Sequence, residues 1–294
     1  MKGSEKFEFD GKNLDYDMLD FWRFHYSNIY DIQGRIAEFI VCKALDIHES
    51  QNDQYWTLWD LTYRGLKIEV KETSYYHSFN KEGKISKHRS FGITKANGAY
   101  DPENSGNSEL RRQNDVYVFC LNTGYTKEEA YPLNLNNWEF YIVPTTVIDE
   151  KCGNNKTISL NRIKKLGYTA TPYDKIKDVI DAIAAKHRLE REKKHSDDFS
   201  DQDVVMAHRF SNNHKKALEP EQKCGCFYCL SIFNSSEIEE WLIDPNPCDR
   251  HGTALCPKCD IDSVIGESSG YPITSEFLKA MNKYWFGNDE EEEI

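Results

Sequence analysis

The chain has 294 residues, of which 39% are hydrophobic and 13% aromatic, enough for at least one buried core. No apolar run of about 18 residues is present, and the N-terminal sequence MKGSEKFEFDGKN has no apolar segment typical of a secretory signal. We therefore expect a cytoplasmic protein with no membrane partner. The formal net charge of -12 argues against nucleic acid as a partner, although acidic runs at 196–203 and at the C-terminus contribute much of it.

The pattern of apolar residues predicts a mixture of helices and strands. Three- and four-residue spacings indicate helix from 14 to 47, interrupted between 28 and 34. A β-hairpin is predicted at 56–72 and a strand at 89–95, within a glycine-containing segment too long for a bare loop. Runs of β-branched and aromatic residues predict strands at 114–122 and 138–148. Further helices are predicted from residue 171 and over about 202–218.

A drop in apolar content suggests where the chain divides. The sequence RLEREKKHSDDFSDQ contains few apolar residues and many charges, which is typical of a domain boundary. We predict a domain over 1–190, a charged linker over 191–203 and a C-terminal domain with an acidic tail over 204–294.

Charged residues of the predicted hairpin suggest a metal site. If Arg64 and Gly65 form a two-residue turn, Asp60 lies opposite Glu69, and the two-residue period of a strand places Lys71 on the same face. A four-residue turn would keep these three on one face, whereas an odd turn or a bulge would not. Facing carboxylates repel, so a divalent ion with oxygen ligands would complement Lys71. The alternative is a charged sheet edge that faces solvent.

Glu38 strengthens the metal hypothesis. It is the sole charged residue in the helical run IAEFIVC, so it should lie at least partly against the core. A carboxylate there must be neutralised, paired or bound to a metal. A salt bridge to Arg35, three residues earlier on the same helix face, is the structural alternative.

These residues occur within an ordered series of segments that covers about residues 14–185: LDFWRF, GRIAEFIV, WDLT, LKIEVKETSYYHSF, RRQNDVYVFCL and NWEFYIVPT. The series resembles the PD-(D/E)XK, or restriction-endonuclease-like, nuclease superfamily, and within it an uncharacterised bacterial branch. The resemblance implies an α/β fold with a central mixed sheet flanked by helices. It also implies endonucleolytic hydrolysis of DNA that depends on Mg²⁺ or Mn²⁺, in restriction or antiviral defence.

The resemblance assigns a role to each residue of the motif. Asp60 and Glu69 would bind Mg²⁺, with the backbone carbonyl of Val70 as a third ligand. Glu38 would bind a second metal or a metal-bound water. Lys71 would position and activate the attacking water and stabilise charge on the scissile phosphate. Such roles match the needs of phosphodiester hydrolysis, which requires a Lewis acid, an in-line water and a cation.

Two alternatives remain open at this point. His77 stands where relatives of this branch favour glutamine, so it would contact metal-bound water or DNA, or would be a surface histidine with neither role. The whole domain could also be a catalytically silent module that recognises nucleic acid or a protein partner.

A locally basic window is the candidate for contacts to DNA. Between Lys81 and Arg112 there are seven Lys or Arg residues and four Asp or Glu. Such a window in an acidic chain favours contacts to the phosphate backbone, and an ordinary loop of mixed charge is the alternative. The predicted contacts are Lys84, Lys87, Arg89, Lys95, Arg111 and Arg112.

Two cysteine pairs predict a zinc site. Cys226 and Cys229 are separated by two residues, as are Cys256 and Cys259, and 26 residues lie between the pairs. This pattern predicts one structural Zn²⁺ ion with four thiolate ligands and no open position. Cys224, Cys248 and His251 are near enough in sequence to replace a ligand.

The cysteine region resembles a second bacterial domain of unknown role, with CGCFYC, Trp241, TALCP and an aromatic C-terminal segment from Phe277 to Phe286. We expect a treble-clef-like zinc module that serves DNA docking, target sensing, homo-oligomer formation or contact with a partner protein. An HNH nuclease is disfavoured, because the four residues between His251 and Cys256 leave no room for its ββα-metal arrangement.

Overall fold

The computed structural model describes residues 3–9, 12–25, 32–47, 59–76, 88–96, 110–220, 222–243 and 252–287. The chain forms two compact units. Unit 1 combines Met1–Leu61 with Ile68–Ile176, and unit 2 combines Thr62–Lys67 with Lys177–Ile294. The C-terminal part of unit 2 thus begins at residue 177, whereas the sequence predicts that the first domain extends to residue 190.

Unit 1 begins with two antiparallel strands, β1 (Lys6–Phe9) and β2 (Lys12–Asp17). Helix α1 (Met18–His25) follows directly, and helix α2 spans Gln33–Ala44. The predicted helix therefore starts at Met18 rather than at residue 14, because the preceding residues pair with β1. Ala37, Ile40 and Val41 are buried and form the apolar face of α2.

A four-stranded sheet, which is mixed as the resemblance implies, is the central element of unit 1, although its residues Thr62–Lys67 cluster with unit 2. Its order is β3 (Leu61–Tyr63), β4 (Leu66–Ser74), β6 (Val116–Asn122) and β7 (Trp138–Pro144). β4 runs parallel to β6, and β6 runs antiparallel to β7. All residues of β6 are buried, which is the pattern of a central strand covered on both faces.

The main core of unit 1 lies against the sheet face that carries Tyr117, Phe119 and Tyr141. Further elements cover this face: β5 (Ser90–Gly92), α3 (Thr145–Cys152), β8 (Thr157–Ser159) and α4 (Leu160–Lys165). β5, which falls within the strand predicted at 89–95, pairs with β8 in a separate two-stranded sheet.

The strand predicted at 138–148 is too long. It ends at Pro144, and residues 145–148 begin α3. The β-branched residues of TTVI have only a weak preference for strand, and burial of Ile148 in the core decides the outcome.

The helices of unit 2 begin with α5 (Ile176–Arg191), preceded by a 3-10 turn at Tyr173–Lys175. The predicted linker over 191–203 contains a short 3-10 helix and the start of α6 (Asp201–His208), which Ser200 caps by accepting from the backbone N–H of Asp203 (3.2 Å). The helix predicted over 202–218 is interrupted after His208, and only α7 (Lys215–Leu218) follows. The interruption coincides with the left-handed backbone of Asn213 (φ 49°).

The rest of unit 2 consists of short strands and a terminal helix. A three-stranded sheet has the order β10 (Ile232–Asn234), β9 (Lys223–Cys226), β13 (Val264–Gly266), and β11 (Trp241–Leu242) pairs with β12 (Thr253–Ala254). Helix α8 spans Ser275–Phe286. In the part of the chain that the structure describes, no helix is both long and apolar enough to cross a membrane.

Candidate functional site

The turn between β3 and β4 consists of two residues, Arg64 and Gly65, which is one of the lengths left open by the sequence. Arg64 (φ 46°) and Gly65 (φ 71°) both have left-handed backbone, which is the geometry of a type I′ hairpin turn. The backbone N–H of Asp60 donates to the carbonyl of Ile68 (3.0 Å). The N–H of Val70 donates to Oδ2 of Asp60 (2.7 Å), so the Asp60 carboxylate lies against β4.

Four predicted residues form one electrostatic cluster in unit 1. Lys71 forms an ion pair with Glu69, whose side chain is only 17% exposed. Glu38 and Asp60 are close enough for their charges to act on the other two groups. We call Glu38, Asp60, Glu69 and Lys71 the acidic cluster.

Burial and mutual repulsion shift the pKa values of the acidic cluster. Burial, reinforced by the charge of Asp60, raises the pKa of Glu69 to about 7. Burial also raises the pKa of Asp60, against the opposing effect of the Val70 N–H. Glu38 has a raised pKa because of burial and the charge of Asp60, and Arg35 opposes this shift. The three carboxyl groups of the acidic cluster thus have less positive charge nearby than their ionised forms require.

Lys71 has the opposite behaviour. Burial by itself would lower its pKa, but the carboxylates of Glu69, Asp60 and Glu38 outweigh burial and raise it. Lys71 therefore stays cationic at neutral pH.

The salt bridge considered as an alternative for Glu38 is present. Nη1 of Arg35 lies 2.7 Å from Oε2 of Glu38. The Arg35 side chain is 79% exposed, so solvent screens this pair and its net contribution is at most about 1 kcal/mol. The bridge offsets only part of the effect of burial, since the pKa of Glu38 remains raised.

Carboxylate oxygens are the ligands that Mg²⁺ and Mn²⁺ prefer, so the chemistry of the acidic cluster fits a hard cation. The carboxylate oxygens of Glu38, Asp60 and Glu69, however, do not all lie within 4.8 Å of one another. Among the described residues, the one group with at least three His, Cys, Asp or Glu ligand atoms mutually within 4.8 Å is formed by cysteines.

A further carboxylate on β4 is buried but is not among the residues predicted from the sequence. Glu72 follows Leu66, Ile68 and Val70 in the two-residue period of the strand, on the face opposite Glu69. Its Oε1 is buried without a hydrogen-bond partner, and burial raises its pKa to about 7 despite the charge of Arg89. The signal was a charged residue in line with the apolar positions of the strand.

The predicted DNA contacts have different environments. The Arg112 side chain is 0% exposed, and its guanidinium donates to the carbonyls of Ile93 (2.8 Å) and Gly153 (2.9 Å) and pairs with Asp149 (2.5 Å). Arg112 is therefore a core residue, and the prediction that it contacts DNA is wrong. The charge of Asp149 and the loop carbonyls account for its burial.

The other predicted DNA contacts within the described residues are less buried than Arg112. Arg111 is exposed and Lys95 partly exposed. Arg89 is partly buried, donates to the carbonyl of Tyr75 (2.9 Å) and lies over the Tyr75 ring. Lys84, Lys87 and His77 lie outside the described residues.

Four cysteines of unit 2 are positioned to bind a metal ion. The Sγ atoms of Cys226, Cys229, Cys256 and Cys259 all lie within 4.8 Å of one another. Two of the Sγ–Sγ distances, Cys226 to Cys259 and Cys229 to Cys256, are both 3.7 Å. Four thiolates about 2.3 Å from a tetrahedral Zn²⁺ ion would be about 3.8 Å apart. The spacing is too long for a disulfide bond and agrees with a shared ion.

The two cysteine pairs adopt the same local conformation. The N–H of Leu230 donates to the carbonyl of Cys226 (2.8 Å), and the N–H of Asp260 donates to that of Cys256 (2.9 Å). Leu230 (φ 64°) and Asp260 (φ 60°) both have left-handed backbone, which costs a non-glycine residue about 1–2 kcal/mol. This repeated strain indicates that both turns are fixed by a common requirement, the presentation of two thiols.

The ligand register is the predicted one. Cys224 points elsewhere, with its Sγ 3.9 Å from the carbonyl of Gln222, and Cys248 and His251 lie outside the described residues. Both pairs follow or precede strands, and α8 begins well after Cys259. Neither pair lies on a helix of the described residues.

No protein-family model, curated protein sequence or solved structure matches this chain. The fold and the side chains by themselves define two classes of feature. Unit 1 is a mixed α/β unit with a partly buried acidic cluster, and unit 2 carries four cysteines positioned to bind a metal ion.

Proposed function

We propose that unit 1 is a Mg²⁺-dependent endonuclease of the PD-(D/E)XK type that hydrolyses DNA phosphodiester bonds, with a role in restriction or antiviral defence. The supporting observation is the acidic cluster: three carboxyl groups with raised pKa values lie around one lysine. A divalent cation would relieve this excess of negative charge. Mn²⁺ would serve similarly.

Asp60 and Glu69 would hold the cation, with the Val70 carbonyl as a further ligand and Glu38 at a second position. When bound, the ion supplies a Lewis acid for the phosphoryl oxygen and lowers the pKa of water. Lys71 would position and activate the attacking water and stabilise charge on the scissile phosphate. The Val70 N–H holds the Asp60 carboxylate in place.

Plasmid cleavage with and without Mg²⁺ tests this function. We expect cleavage by the wild-type protein, and a loss of at least about 100-fold in Lys71→Ala and Asp60→Ala, typical of removing a group that stabilises developing charge. Glu72→Gln is the matched control, since it alters a carboxylate of the same strand on the opposite face. Cleavage that survives both alanine substitutions would refute the site.

The second candidate is a silent nuclease-like module that binds nucleic acid or a protein partner. Two observations favour it: Arg35 already pairs with Glu38, and the carboxylate oxygens are not closely gathered. Failure of the wild-type protein to cleave double-stranded DNA, single-stranded DNA or RNA with either Mg²⁺ or Mn²⁺ would support this candidate.

For unit 2 we propose that the ion is Zn²⁺ in a structural role. Four thiolates select zinc among the divalent ions and leave no position for a substrate. The unit would then serve as an element for DNA docking, homo-oligomer formation or contact with a partner protein.

A further inference from the structure

The turn of the β3–β4 hairpin belongs to unit 2. Thr62–Lys67 cluster with the C-terminal unit, whereas Asp60 and Glu69, a few residues to either side along the chain, belong to unit 1. The residues that contact this turn through Tyr63, Arg64 and Gly65 also belong to unit 2.

Gly270 packs closely against the backbone of the turn. Its backbone is left-handed (φ 78°), and a Cβ added there would lie 1.6 Å from the carbonyl oxygen of Arg64. Such an overlap with backbone cannot be relieved by a side-chain rotation. The position therefore accepts only glycine with the turn in its present place.

Arg191 holds the next residue of the turn. Its side chain is 6% exposed, and Nη1 donates to the carbonyl of Gly65 (3.2 Å) while Nη2 pairs with Asp203 (3.2 Å). The guanidinium also lies 4.5 Å from the centroid of the Tyr271 ring. Three partners on different segments fix this guanidinium, so it presents a rigid donor to the turn.

Tyr63 fixes the other side of the turn. Its hydroxyl donates to Oδ1 of Asp181 (2.9 Å) and contacts Nζ of Lys177. Arg64 also pairs with Asp181 (3.4 Å). Three consecutive residues, Tyr63 to Gly65, are thus held by α5 and by the segment around Gly270.

We propose that Gly270 and Arg191 are positioning residues for the acidic cluster: by holding the turn they set the register in which Asp60 meets Val70. This proposal rests on the proposed function of unit 1. The conformation of a two-residue turn fixes the register of the two strands that it joins, so a change in this conformation shifts Asp60 relative to Val70. Misplacement of about 1 Å in a catalytic constellation can lower the rate about 100-fold.

Gly270→Ala tests the proposal by hydrogen exchange in the zinc-loaded, full-length protein. We expect amides of residues 61–74, including Val70, to exchange at least about tenfold faster than in wild type, since local opening frees them. Gly252→Ala is the matched control, because Gly252 is a left-handed glycine of unit 2 (φ 64°) whose added Cβ would have no atom nearer than 3.6 Å. Equal exchange of the hairpin in the two zinc-bound variants would overturn the proposal.

Arg191→Lys decides the matter if Gly270→Ala fails to fold or to retain zinc. Lysine keeps a charge beside Asp203 but lacks the fork that reaches both Asp203 and Gly65. We expect normal zinc content with faster exchange of the hairpin, and unchanged exchange would again overturn the proposal.

Kinetics separates positioning from general stability and from the proposed function itself. If the wild type cleaves DNA, Gly270→Ala should lower kcat about 100-fold with KM within about twofold, because only the geometry of the acidic cluster changes. A change confined to KM would contradict a positioning role. If the wild type does not cleave, the proposed function fails while hydrogen exchange still tests the hold on the hairpin.

Discussion

Replacing Glu69 by Gln removes a carboxylate that the folded protein keeps partly protonated. Burial and the charge of Asp60 raise its pKa from 4.5 to about 7. A difference of this size between folded and unfolded states corresponds to about 3 kcal/mol. Glu72, on the opposite face of β4, also has a pKa of about 7, because burial outweighs the opposing charge of Arg89, and so provides a matched comparison.

The sign of the pH dependence follows from the raised pKa values. Above pH 7 both carboxylates are ionised in the folded and unfolded states, and each carries the full destabilising effect. As the pH falls from 8 to 5.5, the folded state binds protons before the unfolded state, so each group returns about 2 kcal/mol of stability. Glu72→Gln should therefore stabilise the protein by up to about 3 kcal/mol at pH 8 and by about 1 kcal/mol at pH 5.5.

Glu69→Gln should show the same trend with a smaller gain, because it also removes the ion pair with Lys71. The response to Mg²⁺ should distinguish Glu69 from Glu72. An ion held by Asp60 and Glu69 should stabilise the wild type and Glu72→Gln by about 1.4 kcal/mol at ten times its Kd, and Glu69→Gln by much less.

Urea denaturation followed by circular dichroism, at both pH values with and without Mg²⁺, measures these effects. Subtracting the free energy of unfolding of the wild type from that of each variant at the same pH removes the contribution of ionisable groups that the substitution does not change. An equal response of the Glu69 and Glu72 variants to Mg²⁺ would refute the assignment of Glu69 as a metal ligand. If lowering the pH from 8 to 5.5 changes the free energy of unfolding equally in the wild type and in both variants, the raised pKa values are refuted.

Two further predictions concern the metal site and the core. Metal analysis should find about one zinc ion per chain, lost together with the fold of unit 2 when Cys226 and Cys259 are both replaced by Ser, whereas Cys224→Ser should retain zinc; a zinc-free protein with a normally folded unit 2 would contradict a structural role. Arg112→Met should lower the free energy of unfolding of unit 1 by about 3 kcal/mol, since it leaves the carbonyls of Ile93 and Gly153 without their donor. Arg111→Met should change it by less than about 0.5 kcal/mol, and equal effects of the two substitutions would show that the buried network contributes nothing.

Local sequence determined several features correctly. The all-apolar pattern of VYVFCL predicts the central strand β6. The sequence also predicts the hairpin in which Arg64 and Gly65 form the turn. Spacing in the two CxxC pairs predicts which thiols meet, because a knuckle is built from adjacent residues. Interactions within a few residues carry these structures, so the chain encodes them directly.

Tertiary structure decided which charged side chains are buried. Arg112 and Arg111 are neighbours in a basic window, yet only Arg112 enters the core, where Asp149 and loop carbonyls receive it. Residues 145–148 have strand-like composition but turn into a helix because Ile148 fills the core. Burial of this kind depends on segments that a local pattern does not contain.

The membership of the hairpin turn in unit 2 likewise depends on residues that are distant in the sequence. Gly65 and Arg191 are 126 positions apart, and neither has a sequence signal that points to the other. The sequence by itself determined the hairpin, the acidic residues on it and the cysteine pairs. Only the folded chain decided that the turn of this hairpin is held by the unit that carries the cysteines, since backbone contacts such as that of Gly270 with Arg64 arise from packing and not from residue pattern.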